Sequence, residues 1–176
     1  MRRYGFLLRS FICCVLFGLS FWGLTAQAVA APLAVVAAEA VWGDLVAQIG
    51  GDATTVSSLL SAPEADPHLF EPSPGEARIV ATAAIAIANG AGFDPWMDRL
   101  VLQEAGARLI RVSDLVDWHE GDNPHLWFDP DVMRATGHAV GAVLKELRPE
   151  AGGGIDTRLG LLDQQTARLD ERIASL

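Results

Sequence analysis

Apolar positions along this chain of 176 residues come in short blocks whose spacing alternates between continuous and helical. Leu33 to Ala38 (LAVVAA) is an unbroken apolar run, the pattern of a strand buried on both faces. Trp42, Leu45, Val46 and Ile49 then recur at helical spacing and predict a helix over 42–49, closed by Gly50-Gly51. Thr54 to Leu60 is β-branched and apolar and reads as a second strand. Pro74 to Thr82 reads as a short helix, with Ser73 as N-cap, Pro74 in the first turn and Glu76 completing a capping box. Ala84 to Ala88 is a third strand, ending in the turn Asn89-Gly90-Ala91-Gly92, and Asp94 can cap a helix over 95–104. Arg108 to Val112 is a fourth strand. Asp129-Pro130 opens a helix to about Leu147, punctuated by Pro149 and Gly152-Gly153-Gly154. Finally Ile155, Leu159, Leu162, Leu169, Ile173 and Leu176 are spaced by threes and fours, with Thr166 in the one gap, which predicts a long one-faced amphipathic helix.

Strands alternating with helices predict an α/β fold: a four-stranded parallel sheet covered by helices on both faces, followed by the long helix. Ligands of such sheets bind outside the carboxyl ends of the strands. Two loops that follow strands carry matching sequences. One is Ala65-Asp66-Pro67-His68-Leu69-Phe70-Glu71-Pro72-Ser73-Pro74, the other Gly121-Asp122-Asn123-Pro124-His125-Leu126-Trp127-Phe128-Asp129-Pro130. Each places a His between a Pro and Leu-aromatic, then an acid and a second Pro. Proline fixes its own φ and pushes the preceding residue to extended geometry, so both His sit on stiffened backbone. Neutral imidazole is the commonest metal ligand, and two rigid His loops at one sheet edge suggest half of a metal site at His68 and His125. A loop His is also an ordinary surface polar group, and spacing alone leaves both readings open.

Taken in order, Asp66 to Pro74, Asn89-Gly90-Ala91-Gly92-Phe93-Asp94-Pro95-Trp96 and Asn123-Pro124-His125-Leu126-Trp127 resemble one family. It is that of the metal-binding solute-binding proteins of zinc and manganese ABC importers, the ZnuA/TroA type, and the resemblance runs from about Leu33 to the last residue. It implies an extracytoplasmic protein that captures a divalent cation between two lobes and delivers it to a membrane permease. The cation is zinc or manganese, with iron left open. The histidine of each Pro-His motif is a ligand in that family, which maps to His68 and His125. The remaining ligands, a His or Glu and a carboxylate, come there from a C-terminal lobe that this sequence does not contain. By this resemblance residues 31–150 are the N-terminal metal-binding lobe, and 151–176 are the start of the helix linking the lobes. The expectation is a truncated chain with a weak half-site. A truncated gene product, a gene split in two and an incomplete sequence all fit it.

Residues 1–30 do not read as part of the fold. Arg2, Arg3 and Arg9 precede an apolar run from Phe11 to Leu24, too short for a comfortable membrane span, and Ala28-Val29-Ala30 supplies a small-x-small pattern. The expectation is a signal peptide cleaved near Ala30, giving a periplasmic or otherwise secreted protein with no membrane span. Cys13 and Cys14, the two cysteines of the chain, lie inside that run and outside any lipoprotein cleavage context. Cleavage would therefore leave no disulfide, thiolate ligand or Cys nucleophile. It would also leave a net charge of −12, three positive charges fewer than the whole chain's −9. An acidic balance without a basic stripe argues against nucleic acid.

Other polar residues are read as follows. Asp66, Glu71 and Asp129 neighbour the two His and either orient imidazole N–H groups or cap loops and helices. His119 reads as solvated and His138 as a surface or packing residue. Trp42, Trp96, Trp118 and Trp127 read as packing aromatics. The Asn89–Gly92 turn lacks the third glycine of a dinucleotide fingerprint and reads as a tight turn that lets the chain approach the His loops. No nucleophile elbow or HExxH motif is present, so no enzyme is expected. The alternatives are a surface adhesin or interaction module, and a two-His metal hydrolase with Glu71 as base.

Overall fold

The computed structural model describes residues 30–61, 66–67, 69–104 and 106–176. His68 and the expected signal peptide up to Val29, with both cysteines, lie outside the described residues. Four strands, β1 (Leu33–Glu39), β2 (Thr54–Leu60), β3 (Ile85–Ala88) and β4 (Arg108–Arg111), pair in parallel in the order β2-β1-β3-β4. The α/β expectation is borne out. Because strand side chains alternate in direction, each central strand feeds two cores. Val35 and Ala37 of β1 join Ile85 and Ile87 of β3 on one face. Val36 and Ala38 join Ala86 and Ala88 on the other.

Among the described residues, five α-helices cover these faces: α1 (Ala40–Gly50), α2 (Pro74–Thr82), α3 (Pro95–Glu104), α4 (Pro130–Leu147) and α5 (Gly152–Ala174). The first face takes Trp42, Leu45, Val46 and Ile49 of α1, Val140, Val143 and Leu144 of α4, and Ile155 and Leu159 of α5. The second takes Val80 of α2 and Trp96, Met97 and Leu100 of α3. No helix among the described residues is long and apolar enough to cross a membrane.

Local chemistry sets several boundaries. At the start of α2, Ser73 Oγ accepts from Glu76 N and the Glu76 carboxylate accepts from Ser73 N, the expected capping box. Asp129 Oδ1 accepts from Asp131 N at 2.8 Å and caps α4. One expectation needs correction. Gly152-Gly153-Gly154, read as punctuation after α4, instead opens α5. Helical stability there comes from tertiary packing, and Ile155 and Leu159, buried against α4, outweigh the poor propensity of glycine. The apolar stripe predicted for α5 is buried over part of its length. Ile155, Leu159 and Thr166 are buried, whereas Leu169 and Ile173 are about half exposed. Polar pairs clip α5 to α4: Lys145 to Asp156 at 2.6 Å, His138 to Asp163 at 2.8 Å and Arg134 to Thr166 Oγ1 at 3.1 Å.

Candidate metal centre

In the order β2-β1-β3-β4 the chain leaves β1 towards one edge and β3 towards the other, so the carboxyl ends of β1 and β3 flank the switch point where α/β sheets bind ligands. Glu39 closes β1, and Asn89 follows β3 directly. The segment after β3 is bent by three consecutive left-handed residues, Gly90 (φ 72°), Ala91 (φ 54°) and Gly92 (φ 71°). A Cβ at Gly90 would lie 2.2 Å from Ser113 Oγ and 2.6 Å from Arg111 Cγ, so glycine is required there for both conformation and space.

Asp94, expected as the cap of α3, directs its carboxylate to the turn. Its two oxygens accept from Asn89 N at 2.7 Å and Gly90 N at 2.8 Å. The side chain of Asn89 is fully buried and reaches the His125 loop, its Nδ2 donating to the carbonyl of Pro124 at 2.9 Å. The turn does approach a His loop, as its sequence suggests.

His125 sits at the end of that loop and is exposed. Its environment fixes its tautomer. Asn123 Oδ1 accepts from the His125 backbone N–H at 3.0 Å, which identifies that atom as the carboxamide oxygen. The same oxygen lies 2.7 Å from His125 Nδ1, so Nδ1 is the donor and, of the two neutral tautomers, this contact selects the one with its lone pair on Nε2. Phe93 and Trp127 meet the ring edge-on, with centroids 5.4 and 5.3 Å away, and Phe128 lies at 6.4 Å. A polar pin and aromatic walls thus hold the imidazole with Nδ1 engaged and Nε2 left without a partner from Asn123.

The acidic neighbours are placed differently. Asp129 is exposed and its carboxylate caps α4. Asp66 and Glu71 are exposed as well, and the Asp66 carbonyl accepts from Leu69 N at 3.2 Å. The partner that orients His125 is Asn123, a residue of the motif whose role its position did not reveal. Among the described residues, no three His, Cys, Asp or Glu side chains converge as a metal-holding group.

Glu39, just beyond the apolar run that ends at Ala38, was missed by sequence reasoning. It is 7% exposed, and neither of its carboxyl oxygens has a well-formed hydrogen bond. Burial, then the charge and contact of the Asp94 carboxyl, push its pKa from 4.5 to about 9. Glu39 is therefore a neutral acid at physiological pH. Burial also raises the Asp94 carboxyl, opposed by the two backbone N–H groups that it accepts from.

Residues 35–176 match the ZnuA family, zinc-uptake complex component A periplasmic, and the chain belongs to that family. It is 29% identical over 102 residues to the manganese-binding lipoprotein MntA of Halalkalibacterium halodurans, covering 55% of this chain and 34% of that protein. It is 30% identical over 145 residues to the metal ABC transporter substrate-binding lipoprotein SsaB of Streptococcus sanguinis, covering 73% and 46%. Among solved structures, the fold is that of the periplasmic zinc-binding protein TroA from Treponema pallidum, with a TM-score of 0.71, 24% identity and 82% and 54% of the two chains covered. It also matches the crystal structure of ZnuA, with a TM-score of 0.72 and 24% identity. The chain spans between a third and a half of the length of the two curated relatives.

Proposed function

We propose that this chain is the N-terminal lobe of an exported solute-binding protein that captures a divalent transition-metal ion and delivers it to the membrane permease of an ABC importer. His125 and His68 are its ligands, each giving one neutral imidazole nitrogen. The observation that carries the reading is the Asn123–His125 pair, which occupies Nδ1 and turns Nε2 away as the free donor position, on the loop that the Asn89 turn contacts. Residues 31–150 form the lobe, and α5 begins the helix towards a second lobe that supplies the other ligands. The partial coverage of the relatives is consistent with this division. Zinc and manganese are both carried by the relatives' names, and imidazole donors favour zinc whereas added carboxylates favour manganese or iron.

Two imidazoles fall short of the four ligands zinc prefers, so the affinity of this chain alone is modest. Calorimetric titration with zinc and with manganese tests the reading. Weak one-to-one binding that His125→Ala reduces and His68→Ala with His125→Ala abolishes supports it. Binding unaffected by both changes refutes it.

A further inference from the structure

Two hydrogen bonds, one from the turn after β3 and one from the first turn of α3, end on matching atoms. Asn89 Nδ2 donates to the carbonyl of Pro124, the residue before His125, at 2.9 Å. Trp96 Nε1 donates to the carbonyl of Pro67, the residue before His68 in the sequence, at 3.0 Å. The pairs are separated by 35 and 29 positions, so neither bond follows from local chain geometry. Both donors are buried, Asn89 completely and Trp96 at 2% exposure. A buried N–H has exchanged water for this one acceptor, so losing the acceptor leaves the donor unsatisfied.

The geometry at Pro124 is the more complete. A peptide unit is planar, and the plane holding the Pro124 carbonyl also holds the N and Cα of His125. Asn89 grips the oxygen edge of that plane, and Asn123 Oδ1 grips its N–H edge at 3.0 Å. The anchor is itself fixed. Asp94 accepts from the backbone of Asn89 and Gly90, and its carbonyl accepts from Met97 N in the first turn of α3 at 2.9 Å. Trp96 is held against Phe70, with ring centroids 4.6 Å apart.

We propose that Asn89 and Trp96 are positioning residues for metal capture: from the turn after β3 and the first turn of α3 they hold the two proline carbonyls that precede His125 and His68 in the sequence, presetting the backbone at those two prolines. The proposal rests on the ligand assignment above. Neither residue touches metal. Each cuts the ordering that binding would otherwise require, which is how a supporting shell raises affinity.

The test uses zinc and four single variants: Asn89→Ala, Trp96→Phe, which keeps an aromatic ring, though a smaller one, and loses the N–H, His125→Ala, and Leu162→Ala as a control for lost core volume and stability. Leu162, in α5, packs beside Gly137 of α4. Two readouts are needed: the zinc dissociation constant, and the proton shifts of the His125 ring in the metal-free protein, which the facing Phe93 and Trp127 rings displace. Asn89→Ala is expected to weaken zinc about tenfold, the lower end for lost ligand-supporting contacts, and to move the His125 signals towards unstructured values. Trp96→Phe is expected to weaken zinc several-fold without moving those signals. Should Asn89→Ala not fold, Trp96→Phe alone decides. Leu162→Ala lowers the melting temperature and leaves both readouts unchanged. Zinc affinity lost equally in Leu162→Ala, or retained in Asn89→Ala and Trp96→Phe while His125→Ala weakens it, overturns the positioning role alone. Zinc affinity retained in His125→Ala overturns the ligand assignment and, with it, any role of the bracket in capture.

Discussion

The carboxamide oxygen of Asn123 lies 2.7 Å from Nδ1 of His125 and 3.0 Å from its backbone nitrogen, so one side chain sets both the tautomer and the approach of the candidate ligand. Removing it should therefore act on metal binding more than on folding. Asn123 is exposed, and its loss uncovers no core. Asn123→Ala is expected to weaken zinc roughly ten- to a hundred-fold with little change in melting temperature, whereas Asn123→Asp keeps the acceptor and most of the affinity. Parallel zinc titrations and melting curves check this, and equal affinity in all three proteins would count against the pin.

Glu39 gives the fold a pH dependence of definite sign. Its folded pKa, about 9, lies above the unfolded value of 4.5, so between these the folded state holds a proton that the unfolded state has released. Stability is then highest at the acid end of this window and falls as pH rises, by about 1.4 kcal/mol per pH unit for one proton. The raised Asp94 acts in the same direction. Glu39→Gln keeps the shape and removes the titrating proton. It should be more stable than the parent near pH 8.5, by a margin that narrows towards pH 5. Urea unfolding at a series of pH values measures the margin, and parallel curves for the two proteins would refute the assignment.

Two glycines in the long helices should respond with opposite signs. In α5, Gly160 has nothing within 4 Å of an added Cβ, so Gly160→Ala gains helix propensity and stabilises by about 0.5–1 kcal/mol. In α4, a Cβ at Gly141 would lie 2.8 and 3.3 Å from the two methyls of Leu159 and 3.4 Å from Ile155, both buried. Gly141→Ala should destabilise by about 1–3 kcal/mol through overpacking. Denaturant midpoints give both signs, and a stabilising Gly141→Ala would mean the α4–α5 contact is looser than it looks.

What was legible in the sequence is what short-range chemistry determines. Ser73 with Glu76, Asp129 with Pro130 and the unbroken run at Leu33 announce their elements because the partners lie within a turn or a strand. The strand order, and with it the meeting of Glu39 and Asn89 at the switch point, depends on pairings that no local pattern encodes. The same is true of the bonds from Asn89 to Pro124 and from Trp96 to Pro67. Asp94 shows the limit well: its position predicts a helix cap, yet its carboxylate serves the backbone of the turn before it. Gly152-Gly153-Gly154 misleads for the opposite reason, since packing of Ile155 and Leu159 overrides propensity. Of the two candidate ligands, the structure describes the surroundings of His125, and His68 stands on its motif.

The central claim is that His68 and His125 bind metal through imidazole nitrogen. Zinc K-edge absorption on the loaded chain tests it directly, because each coordinated ring adds a nitrogen at about 2.0–2.1 Å and its own outer-ring scattering. The account predicts two rings in the parent, one in His68→Ala, one in His125→Ala and none in the double variant. Ring scattering that survived the double substitution would place the metal on other histidines and contradict it.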